Sequence, residues 1–115
     1  MKMNAALPAL ALALVAAQAH AADVPQSLVD VNTNACVQMN ARPETKALDK
    51  FAPADAAKVP GYCSCYSKTY WASVPQADYD GMVAEHAAGD MKGPHSLAIR
   101  AALHARNEAA KKSCQ

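Results

Sequence analysis

The chain predicts an all-α fold: a small disulfide-linked bundle of about four helices behind an N-terminal signal peptide. Three observations predict it. Apolar residues recur at three- and four-residue steps, in segments separated by prolines and glycines. Strand signals are nearly absent, with no long β-branched run, no two-residue alternation and no Asn-Gly turn. Four cysteines, Cys36, Cys63, Cys65 and Cys114, all follow an apolar leader, and an even count in a short exported chain reads as two disulfides.

The leader is expected over residues 1–21. Lys2 supplies the positive start, Ala5 to Ala17 is an Ala/Leu/Val run broken only by Pro8, and Ala19-His20-Ala21 has small residues at the −3 and −1 positions. That order is a secretory signal with cleavage before Ala22. The apolar run falls short of the roughly 20 residues a spanning helix needs, and no cysteine lies just after it to take a lipid. Residues 22–115 then form a single domain, for which no stable membrane anchor is expected.

The first helix is expected to start near Pro25 and end before Pro43, with Leu28, Val31, Ala35 and Met39 as its apolar face and Cys36 beside it. Two proline-bounded stretches follow, Pro43 to Phe51 and Pro53 to Pro60, fit for single helical turns. Pro60-Gly61 marks a turn. A second long helix should begin there and reach about Ala72, carrying Tyr62, Tyr66 and Tyr70 at successive four-residue steps. Ser73-Val74-Pro75-Gln76 reads as a capping box for a third helix, with Ser73 at the N-cap and Gln76 at N3. Gly89 is its expected stop. Gly93-Pro94 opens the last helix, expected to reach Ser113 with Leu97, Ala101, Ala105 and Ala109 along one face. Lys111 and Lys112 complement its C-terminal dipole.

The cysteine spacing narrows the bridges. A Cys63–Cys65 bond would close a very small, strained ring. Both bridges therefore radiate from the Cys63-Ser64-Cys65 element, one to Cys36 and one to Cys114, with the choice between Cys63 and Cys65 open. On the chain-entropy account each is worth about 3–4 kcal/mol before strain, a large share of the net stability of so small a domain.

Composition and motifs exclude more than they assign. Eleven basic residues face ten acidic ones, and loss of Lys2 with the leader leaves ten against ten. Bulk charge recruits neither nucleic acid nor an anionic membrane. The serines sit in no Gly-x-Ser-x-Gly context, Asp78 and Asp80 diverge on their helix, and there is no phosphate-cradling glycine loop or Cys-x-x-Cys-His haem site, so no catalytic residues are assigned. His86, His95 and His104 lack a chelating spacing, so neither a metal nor another cofactor is expected. Cys-x-Cys near a helix start could support thiol exchange or soft-metal binding, but two further cysteines are available to occupy both sulfurs.

The tyrosine row holds most of the aromatic residues. It is either a core face or, because Tyr and Trp dominate binding hot spots, a partner surface. The partner-binding candidates are Tyr66, Tyr70 and Trp71, together with Arg100 and Arg106 on the basic last helix. Acidic residues cluster from Ser73 to Asp90 and basic ones from Met91 to Gln115. The two helices could therefore pack as an antiparallel hairpin with complementary rims.

Cys36, Tyr62-Cys63-Ser64-Cys65 and Cys114, in this order behind a leader, resemble a group of small exported bacterial proteins of uncharacterised role. That resemblance implies a helical disulfide fold and no activity. In size, export and helicity the chain is similar to periplasmic immunity proteins, by architecture alone. The functional expectation is a non-enzymatic periplasmic protein that binds another protein, in its sharpest form an inhibitor or immunity protein against a secreted toxin. The alternatives are a metal-handling or thiol-redox protein and a structural envelope or stress protein.

Overall fold

A computed structural model describes residues 21–115. Except for Ala21, the expected leader lies outside the described residues. The described residues fold into five α-helices: α1 (Gln26–Ala41), the single turn α2 (Pro43–Lys46), α3 (Val59–Ser73), α4 (Gln76–Ala87) and α5 (Pro94–Ser113), with a 3-10 turn over Ala56–Lys58. No strand occurs among the described residues, only an isolated antiparallel bridge between Ala21 and Pro75. None of the described helices is long and apolar enough to cross a membrane. The proline and glycine signals set most helix limits: Pro43, Pro60 and Pro94 lie in first turns, where a missing N–H costs nothing.

Helix α3 is the spine. Cys63 and Cys65 are two residues apart, so their side chains leave α3 about 200° around its axis from each other. One sulfur meets α1 and the other meets the end of α5: the bridges are Cys36–Cys63 and Cys65–Cys114. No thiol remains free. The bridges join residues 27 and 49 positions apart, so each constrains a long loop. Cys36→Ser and Cys114→Ser are each expected to cost about 2–5 kcal/mol, read as a clear fall in Tm. Melting within a degree or two of the parent in both variants would show that the bridges do not support the fold.

Two apolar clusters flank the spine. One joins Val29, Tyr70, Trp71, Val74, Ile99 and Ala110. The other surrounds the Cys36–Cys63 bridge with Val59 and Tyr62. The buried side of α1 is thus Val29, Cys36 and Asn40. It is not the expected stripe: Val31 is 62% exposed and Ala35 is exposed. The Cys36 bridge rotates α1 so that its cysteine side, rather than its most apolar side, meets α3. Likewise α5 buries Ser96, Ile99 and Ala110, while Leu97, Ala101, Ala105 and Ala109 are exposed.

The expected capping box does not form. Val74 is fully buried, which holds Ser73 in the last turn of α3, where its hydroxyl donates to Tyr70 O at 2.6 Å. Pro75 becomes the N-cap of α4. The Gln76 Oε1 accepts instead from Asp23 N at 2.5 Å, and Ala22 N donates to Val74 O at 2.9 Å. The segment ahead of α1 is thereby tied to the α3–α4 corner.

Helices α4 and α5 form the hairpin suggested by their charges. Gly89 has φ 75°, and the Gly89 N–His86 O and Asp90 N–Glu85 O hydrogen bonds complete a Schellman stop. The Glu85 carboxylate crosses to the next helix and accepts from His95 N (3.2 Å) and Ser96 N (2.9 Å). It satisfies two donors that α5 leaves open and places negative charge at its N-terminus. A Cβ on Gly93 would lie 2.2 Å from this carboxyl group, so the cap requires glycine there. His95 lies half-buried against Gly81 with its Nδ1 3.1 Å from Asp78 Oδ1.

Candidate functional site

Helices α1 and α5 both pack on α3, yet no Cα of α1 comes within 8 Å of one in α5. Between them lies a groove of about 310 Å³. Tyr66 and Tyr70 of α3 form its floor, Ala35 and Met39 its α1 wall, and Leu103, Asn107 and Lys111 its α5 wall. Leu103 shows that the groove is an unfilled part of the bundle. It lies four residues after Ile99 and seven before Ala110, so all three share the inward face of α5. Ile99 and Ala110 are buried, whereas Leu103 is 41% exposed, because α1 stands too far off to cover it.

The aromatic ladder makes the floor rigid. Tyr70 and Trp71 meet edge-on with ring centroids 5.1 Å apart, Trp71 and Tyr79 likewise at 5.9 Å, and Tyr66 and Tyr70 are tilted at 6.4 Å. Such arrangements are favourable beyond their buried area. Tyr66 spans towards the α5 wall, its hydroxyl donating to Asn107 Oδ1 at 2.5 Å, and the Lys111 ammonium lies 5.3 Å from the Tyr66 ring centre. Burial pushes the phenols of Tyr62, Tyr66 and Tyr70 above their ordinary range.

One end of the groove is closed by Asp49, a residue that no local pattern singles out. Its side chain is 1% exposed. Oδ1 accepts from Tyr62 Oη at 2.9 Å and Phe51 N at 3.3 Å. Oδ2 accepts from Asn40 Nδ2 at 3.3 Å and faces Lys111 Nζ at 3.8 Å. A buried carboxylate is tolerated only with such partners. Here they come from α1, the 49–51 turn, α3 and α5, so one side chain joins every element around that end. Its hydrogen bond and charge add to burial in holding the Tyr62 phenol neutral.

The structure divides the expected partner-binding residues. Tyr70 and Trp71 are 3% and 7% exposed: their rings belong to the core, and Tyr70 reaches the groove only as part of its floor. Tyr66 is half-buried and lines the groove. Arg100 lies elsewhere, its Nη2 donating to Met91 O at 2.7 Å in the α4–α5 turn. Arg106 is half-buried on the other flank of the α3–α5 contact, beside Thr69, Ser73 and Ala105. The five residues therefore do not form one surface. Sequence reasoning missed Met39 and Leu103 as groove walls, although Met39 already stood out as apolar at helical spacing. The cysteine assignments hold, and the structure adds the pairing.

Compared with known proteins, the chain matches no protein-family model, and no curated protein or solved structure is significantly similar to it.

Proposed function

We propose that this is a non-enzymatic, exported, periplasmic protein-binding domain whose groove between α1 and α5 takes an amphipathic helix of a partner protein. The observation that supports this most directly is the exposed Leu103 on the inward face of α5. A bundle that leaves a core position open beside Ala35 and Met39 presents the kind of slot that helix-in-groove recognition uses. Charge indicates the partner's polarity. Between Val31 and Ala41 the α1 wall carries no ionisable acid or base. On the α5 side Lys111 already faces Asp49 at 3.8 Å and Glu108 is held by Lys50 at 3.1 Å, so the groove walls present no uncompensated charge. The fitting partner helix has an apolar stripe flanked by uncharged polar residues. The two bridges favour an oxidising compartment. An inhibitor or immunity protein against a secreted toxin is the sharpest form of this reading, resting on architecture and on the fixed aromatic floor.

Placing a photo-crosslinking residue at position 103 tests the groove, with position 97 as control, because Leu97 is exposed about 120° around the same helix and does not line the groove. Position 103 is expected to crosslink one partner helix and position 97 not. Met39→Glu and Leu103→Glu should melt close to the parent and weaken capture by about thirty-fold or more, the loss typical of a binding hot spot. Capture that is unchanged in both variants, or crosslinking equal at the two positions, would reject the groove as the docking surface.

A further inference from the structure

The two disulfides sit in different surroundings. Cys63 is fully buried and Cys36 is 6% exposed, inside the apolar cluster with Val59 and Tyr62. Cys65 and Cys114 are both partly exposed. Cys114 borders an opening of about 590 Å³, beside Gly61, Lys58 and Lys50. Independently of the groove, we propose that the Cys65–Cys114 bridge is a thiol-exchange site that accepts an anionic low-molecular-weight thiol such as glutathione at the Cys114 sulfur, while Cys36–Cys63 stays closed.

Two features give the exchange its direction. Only Cys114 of the pair borders the opening, and Lys58 there, beside a Lys50 that also pairs with Glu108, attracts an anionic thiolate. Cys114 is the C-cap of α5, where the negative end of the helix disfavours charge on its own sulfur. Thr69 Oγ1 lies 3.9 Å from the Cys65 sulfur and 3.6 Å from that of Cys114, within reach of either sulfur, so it does not itself select which one leaves. Exchange runs faster when the better-stabilised thiolate leaves. The glutathione thiolate attacks Cys114 Sγ, the glutathione–Cys114 bond forms and the Cys65–Cys114 bond breaks. The electron pair departs on Cys65 Sγ, which takes a proton from water. A second glutathione thiolate then attacks the glutathione sulfur of the adduct, releasing oxidised glutathione and the Cys114 thiol. The two glutathione thiols supply both electrons. If Cys65 attacks the adduct first, the bridge re-forms.

The experiment treats the folded, oxidised protein with reduced glutathione in the absence of denaturant, quenches with acid at intervals, alkylates the free thiols and maps the peptides by mass spectrometry. Cys65 is expected to become alkylated and Cys114 to carry the glutathione adduct, with the pair opening roughly a hundred-fold faster than Cys36–Cys63. Circular dichroism should show the helices intact throughout. Opening of both bridges at one rate, opening of Cys36–Cys63 first, an adduct mainly on Cys65, or no reaction until the protein unfolds would each overturn the proposal.

Discussion

Replacing Asp49 by alanine is expected to cost about 3–5 kcal/mol, the range for breaking a buried charged network by removing one partner. The carboxylate satisfies the Tyr62 hydroxyl, the Phe51 amide and the Asn40 amide group, and it faces the Lys111 ammonium. Without it, the Tyr62 hydroxyl and the Asn40 amide donor lose partners in the interior. Asp49→Asn should fall between. Its oxygen can still accept from Tyr62 and Phe51, but its amino group then faces the donors of Asn40 and Lys111. Tyr62→Phe deletes a single hydrogen bond to a charged acceptor, worth about 1.5–3 kcal/mol, and gives a readout should Asp49→Ala fail to fold. Chemical denaturation of the three variants checks the order. An Asp49→Ala protein as stable as the parent would remove Asp49 from its place at the centre of that network.

Tyr70→Ala is expected to cost about 3–5 kcal/mol, as for other large aromatic side chains removed from a core. Its ring is 3% exposed and stacks edge-on against Trp71, so truncation leaves a void beneath the groove and frees the rest of the aromatic ladder. Tyr66→Ala serves as the contrast. Tyr66 is half-buried and its loss should lower Tm much less, while removing the floor residue a partner helix would touch first. Paired melting and capture measurements separate the two roles. A Tyr70→Ala protein that melts like the parent yet loses its partner would place Tyr70 on the binding surface after all.

Helix limits were legible in the sequence because prolines and glycines act locally, and the structure starts or stops helices beside Pro43, Pro60, Gly89 and Pro94. Helix faces were less legible. In α1 the periodic stripe of Leu28, Val31, Ala35 and Met39 marks the most apolar side, but Cys36 and Asn40 are the residues turned inward. Their pull is a covalent bond and a buried hydrogen bond to Asp49, neither visible in a hydropathy period. In α5 the alanines contribute little area, so the helix is oriented instead by Ile99, by the Glu85 cap on Ser96 N and by the Cys114 bridge. Asp49 stands between Leu48 and Lys50 as any solvated acid would. Its role arises only where four distant segments meet, and the same holds for a groove whose existence depends on the spacing of α1 from α5.

The order of the bridges along the chain has a consequence for how the protein reaches its oxidised state. Cys36 joins Cys63 before Cys65 joins Cys114, so the two covalent loops follow one another and neither encloses nor crosses the other. A chain that emerges N-terminus first therefore meets its correct partners in order of arrival: the first cysteine with the second, then the third with the fourth. An oxidase that coupled cysteines as they appear would produce the native connectivity directly, with no mispaired intermediate for an isomerase to undo.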